Sequence, residues 1–275
     1  MDIIKRNFYT LLRSGAFGMT GNIEPMSVSK WEKLHQLALT YEVVNDVFTG
    51  LQMHKDDYFL QLPEQQWEMW TTSCQQQLEN RQDKDEQNEL LRSDSLTNPT
   101  LKQKLKHILD HTTASQQPTR QLLLLIVSNV RHILYEGVSL RKLIALGMFL
   151  RSQGQPIDAP LLREWLHSIK MEKMAAIIGG LLIKGFDFTF DEIPFVPISF
   201  DKGTQSTIEE ILNLDGRRME EWYFEQGNNI FIKNSNSSAM LWRVTHSAKY
   251  FRYYPNESMT NVFTSFMHSL SHIEE

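Results

Sequence analysis

The chain has 275 residues, 41% of them hydrophobic, and 28 Lys and Arg against 33 Asp and Glu leave a net charge of -5. That is enough for one large domain or two small ones around a sizeable core, and it excludes a disordered chain. Without a basic excess no nucleic-acid partner is expected, because neutralising phosphates takes clustered Lys and Arg, and a lone Cys74 excludes an internal disulfide or a cysteine-built zinc site.

The start, MDIIKRNFYTLLRSGAFGM, has no apolar run of signal-peptide length, and no stretch approaches the length of a bilayer span. The expectation is a soluble, reduced, cytoplasmic protein with no membrane partner. Ile4, Phe8, Leu11 and Leu12 share one helical face. Ser29 and Glu32 have the spacing of a capping box ahead of Leu34, Leu37, Ala38 and Tyr41. Val44, Val47, Phe48 and Leu51 make the next stripe. Pro63 suits a first helical turn, and Trp67, Trp70, Cys74 and Leu78 follow on one side. From Glu79 to Asp94 the only apolar residues are Leu90 and Leu91, so that helix has little face to bury and reads as a solvated end.

Asn98-Pro99 breaks the pattern before Leu101, Leu105, Ile108 and Leu109. Pro118 opens the most apolar helix, which Gly137 is placed to end, and Ser139 can cap the helix carrying Leu140, Leu143, Ile144 and Met148. Asp158 and Pro160 start another with Leu161, Leu162, Trp165 and Leu166. Met171, Met174, Ala175, Ile178, Leu181 and Leu182 repeat the period. Residues 185–201, GFDFTFDEIPFVPISFD, read as irregular, since Pro194 and Pro197 forbid a helix. Ser206 and Glu209 have the spacing of a second capping box. Residues 228–234 are the best strand candidate, and Met259 to Ile273 carry a final helical stripe.

Four places invite chemistry. Arg131, His132, Glu136 and Arg141 sit around Gly137. His132 and Glu136, one turn apart, have the spacing of a base and its orienter, but no nucleophile accompanies them in the sequence. They read as a structural or interaction cluster, with Glu136 or Arg141 expected to make buried hydrogen bonds between the two helices. Gly179-Gly180 followed by Asp187 and Asp191 is reminiscent of a metal-dependent nucleotidyl-transfer site. Holding metal needs two carboxylates one residue apart on a strand face, and Phe188, Thr189 and Phe190 intervene; this reads as a helix end and a loop. Trp242 to Pro255 interleaves aromatics with Arg243, His246, Lys249 and Arg252, and reads as an amphipathic helix with its rings in the core and its cations at the surface. His35 and His54 stand isolated.

FYTLLRSGAFG, WEKLHQLALTYEVVNDVFTGL and LPEQQWEMW together resemble the N-terminal helical part of a family of uncharacterised bacterial nucleotidyltransferases of the polymerase-beta-like superfamily. RHILYEGVSLRKLIALGMFL is similar to a helical region that follows the catalytic core there, and AKYFRYYPNESMTNVFTSFMHSL to the C-terminal end. The resemblance implies a Mg-dependent enzyme whose Gly-Asp-x-Asp strand would lie between the polar helix and the Leu101 helix. This sequence has LLRSDSLTNPTLKQ there and no Gly-Asp-x-Asp anywhere. It also departs from the family at Ala145 to Gly147, where an acidic and an aromatic residue are expected. No catalytic, cofactor-binding or metal-binding residue carries over.

The expectation is therefore an all-α bundle of about ten helices, with at most a minor hairpin or short strand. Residues 1–94 form an N-terminal helical region and residues 95–275 a C-terminal one. Functionally, the sequence reads as a non-catalytic, core-deleted nucleotidyltransferase-like protein acting through a protein partner or self-association, with no cofactor and no nucleotide. The alternative is a nucleotide-binding enzyme with a rebuilt site.

Overall fold

Short polar caps and breaking residues divide this chain into helices, and a computed structural model shows how they assemble. It describes residues 2–82, 96–152, 157–214 and 248–260, with the backbone alone for 78–82. Ten α-helices have both bounds within residues 2–214: α1 (Ile3–Phe17), α2 (Val28–Thr40), α3 (Val44–Met53), α4 (Glu64–Gln82), α5 (Pro99–Asp110), α6 (Gln117–Tyr135), α7 (Leu140–Ser152), α8 (Ala159–Ser168), α9 (Glu172–Phe186) and α10 (Lys202–Leu212); residues 255–260 are also helical. The fold is all-α, and no strand occurs among the described residues. The strand candidate at 228–234, residues 83–94 of the polar stretch and the final stripe beyond 260 lie outside the described residues.

Local chemistry starts and stops these helices. The Asp2, Asn98 and Asp158 side chains accept from the amides of Lys5, Leu101 and Leu161, each filling an orphan donor of a first turn. Ser139 Oγ accepts from the Lys142 amide at 3.3 Å. Gly18 and Gly137 follow helix ends at φ 66° and 94°, a conformation glycine adopts without a Cβ penalty. Both expected capping boxes are corrected. Helix α2 starts after Ser27, two residues earlier than a cap at Ser29 requires, and α10 starts after Asp201, whose carboxylate accepts from Gly203 and Thr204. Ser29 and Ser206 are interior positions; a capping-box spacing also occurs by chance inside helices.

Helices α1 and α3 cross with backbone against backbone. A Cβ on Gly15 would stand 1.7 Å from the Asp46 carbonyl oxygen, and one on Gly50 would stand 2.0 Å from that of Leu11. Helix α1 also packs on α2, α7 and α9, so it joins the first helices to the later ones. At the centre lies α9, buried on nearly every side through Met174, Ile177, Ile178, Leu181, Leu182 and Phe186. It touches α1, α6, α7, α8 and α10. A helix apolar all round is what a central position requires. The Tyr9 hydroxyl donates to the Leu212 carbonyl at 3.1 Å, a buried bond between the two ends of the described core.

Candidate functional site

Around Gly137, the His132 ring spans the turn between the two helices. His132 Nδ1 lies 2.8 Å from the Gly137 carbonyl oxygen, and its Nε2 lies 3.1 Å from Glu136 Oε2. The carbonyl can only accept, so Nδ1 donates and His132 bridges the turn. The Arg141 guanidinium comes within 4.0 Å of Glu42, and Arg131 lies over the Tyr135 ring at 6.0 Å. The Glu136 side chain is 66% exposed and Arg141 29%, so the Glu136 carboxylate meets His132 at the surface. A carboxylate at the last helical position points outward, and the shorter imidazole is the group that reaches back under the turn.

Gly179 and Gly180 lie in the middle of α9, whose end at Phe186 and following loop match the reading of this stretch as a helix end and a loop. Each admits a neighbour: a Cβ on Gly179 would meet Val196 at 2.0 Å and one on Gly180 would meet Ile208 at 2.2 Å. Their absent side chains let residues 193–196 and α10 pack on α9. Asp187 is the left-handed residue that ends α9, and Asp191 lies exposed in a short 3-10 turn. Among the described residues no group of three His, Cys, Asp or Glu is placed to hold a metal ion. Nearby, Arg151 stacks on Phe188 at 3.8 Å and bonds Glu192 at 2.8 Å, which holds that carboxyl below the usual range. Gly147, where the family resemblance leads one to expect a larger residue, leaves room for the Phe17 and Phe188 rings, each 2.9 Å from a built Cβ.

The aromatic and basic stretch is described from Ala248 on. Tyr250, Tyr253 and Tyr254 are buried, Lys249 pairs with Glu210 at 2.8 Å, and Arg252 approaches Asp201 at 3.6 Å. Rings inward and cations on surface acids is the amphipathic arrangement; Arg243 and His246 lie outside the described residues.

His35 and His54 are not isolated in space. Ser14 Oγ lies 2.9 Å from His54 Nε2, and Asp57 lies 3.8 Å from Nδ1. The order serine, histidine, aspartate resembles a nucleophilic triad, but the protons run the wrong way. In a triad the serine donates to the imidazole. Here Ser14 Oγ donates to the Thr10 carbonyl at 3.0 Å, so Nε2 must be the donor to Oγ. Ser14 is also 1% exposed, out of reach of a substrate. The contact ties the end of α3 to α1.

A cleft of about 730 Å³ lies between α8, α9 and residues 193–201. Leu166, Ala176, Phe195, Val196, Pro197 and Phe200 supply apolar lining, and Arg163, Glu164, His167, Glu172, Lys173, Asp201 and Arg252 are its charged or titratable groups. Most of these charges are committed to the protein. His167 pairs with Glu172, Arg252 faces Asp201, and Arg163 donates to the Pro194 carbonyl at 3.0 Å. Asp201 is held below the usual carboxylate range by the Thr204 amide and hydroxyl. Along the cleft wall Pro194 sits in a turn closed by the Val196 amide on the Ile193 carbonyl at 3.4 Å, and the amides of Ile198, Ser199 and Phe200 have no partner among the described residues. Ile198 is 93% exposed. Composition does not reveal this site, because Phe195, Val196 and Phe200 look like core residues. The one signal in the sequence is the alternation of proline with apolar residues in IPFVPISF. Comparison with protein-family models, curated proteins and solved structures gives no match.

Proposed function

We propose that this chain is a non-catalytic, core-deleted relative of nucleotidyltransferases that acts by binding a protein partner, and that the cleft between α8, α9 and residues 193–201 is the contact surface. The observation that carries the reading is the cleft wall: an irregular, proline-braced segment whose amides at Ile198, Ser199 and Phe200 are unpaired among the described residues, beside an apolar lining. Such a wall can pair with the backbone of an extended peptide while the lining takes its apolar side chains, the usual division of labour in peptide recognition. The lack of a Gly-Asp-x-Asp sequence supports the non-catalytic half, because phosphoryl chemistry depends on metal charge neutralisation.

The test is to purify the tagged full chain from its native cell beside an Ala176→Trp variant, whose ring fills the cleft. The expected result is a stoichiometric protein partner that the folded variant loses. Retention of that partner by a variant with an unchanged melting temperature overturns the cleft assignment. Calorimetry with the four nucleoside triphosphates and Mg²⁺ addresses the enzyme alternative: a saturable isotherm abolished by Asp187→Asn with Asp191→Asn would establish a rebuilt nucleotide site.

A further inference from the structure

Helix α5 ends in a pair of imidazoles that take no part in the peptide cleft. His107 and His111 stand one turn apart, both exposed, with ring centroids 4.1 Å apart and planes tilted by 47°. His111 Nδ1 lies 2.8 Å from the His107 carbonyl oxygen. Because a carbonyl only accepts, Nδ1 carries the proton and Nε2 carries the lone pair. A histidine whose second nitrogen donates to a carbonyl is oriented as a metal ligand. Among the described residues the His107 ring nitrogens have no hydrogen-bond partner. The pair sits at the helix C-terminus, where the free carbonyls favour a cation, and the exposed Asp110 between them carries no ion pair. The nearby Lys104 ammonium is turned to the Ser168 carbonyl at 3.1 Å. Both rings open onto a second cleft of about 670 Å³, with Glu164 of α8 among its other lining residues.

We propose that His107 and His111 form a bidentate site for a divalent transition metal ion. Two imidazoles at helical spacing suit Cu²⁺, Ni²⁺ and Zn²⁺ and exclude the oxygen-seeking Mg²⁺ and Ca²⁺, and Cu²⁺ binds tightest of the first group. No third His, Cys, Asp or Glu converges on the pair among the described residues, so water completes the coordination. The ion is therefore exchangeable, and the fold does not depend on it.

The experiment titrates the full chain with Cu²⁺, Ni²⁺, Zn²⁺ and Mg²⁺ by calorimetry and follows Cu²⁺ by electron paramagnetic resonance. The expected result is one tightest Cu²⁺ site with two equatorial imidazole nitrogens and no Mg²⁺ isotherm. Either His107→Ala or His111→Ala should weaken that site by more than about tenfold, because one ring alone is a monodentate ligand. His167→Ala, which removes another exposed imidazole, should leave it unchanged. A wild-type affinity equal to that of His107→Ala, or loss of the tightest site in His167→Ala instead, overturns the assignment. The first outcome leaves the peptide cleft untouched, whereas the second would place the ion in that cleft, which His167 lines.

Discussion

His35 shows how far a residue's surroundings can depart from its sequence neighbourhood. It lies 2% exposed on α2, edge-on to Trp70 at 4.5 Å, with Nε2 3.0 Å from Ser73 Oγ and Nδ1 without a partner. Burial penalises the imidazolium and pulls the pKa from 6.5 down to about 4. The unfolded chain takes up this proton as pH falls below 6.5, while the folded chain takes it up only near 4. Stability from this residue is therefore complete above about pH 6.5 and declines as pH falls towards 4. Urea midpoints at pH 7 and pH 5 should differ more in wild type than in His35→Gln. Equal differences in the two proteins would show that the imidazole is not what the fold keeps neutral. The same crowding raises the thiol of Cys74 to about 11, which makes it a core atom and not a nucleophile.

Helix starts separate what a pattern suggests from what the backbone uses. The residues marking α5 and α8, Asn98-Pro99 and Asp158 with Pro160, are legible because each pairs a capping side chain with a ring that fits only the first turn. The Ser206–Glu209 spacing is not informative, because serine and glutamate are tolerated inside helices. Asp201 is the cap, bonded to the Gly203 and Thr204 amides at 2.8 and 3.1 Å. Asp201→Ala should lower the urea midpoint measurably and Ser206→Ala should leave it almost unchanged. The opposite order would restore the capping box and move the start of α10. The glycines follow the same division: Gly137 is readable as a helix stop, whereas Gly15, Gly50, Gly179 and Gly180 are needed only because another element arrives there.

At the scale of the whole molecule, a buried carboxylate helps fasten residues 248–260 to the middle of the chain. Glu257 is 0% exposed and accepts from the Thr97 amide at 2.5 Å, the Thr97 hydroxyl and the Tyr135 hydroxyl at 2.7 Å, and the Asn98 amide at 3.0 Å. Removing it leaves these buried donors without a partner, so Glu257→Ala should destabilise the protein by about 3 kcal/mol or more, with Glu257→Gln losing less. Matching urea midpoints for Glu257→Ala and wild type would mean that this fastening contributes nothing. Nothing in ESMT or SLTNPT marks the contact, since its partners are 160 residues apart. By itself the sequence determined the helical class, the main apolar faces and several helix ends, because these depend on residues within a turn or two of one another. Tertiary structure alone decided which glycines admit a neighbour, that the Ser14–His54–Asp57 contact runs its protons the wrong way for catalysis, and that Phe195, Val196 and Phe200 line a cleft. Those properties belong to pairs of surfaces, and they exist only once distant segments have packed together.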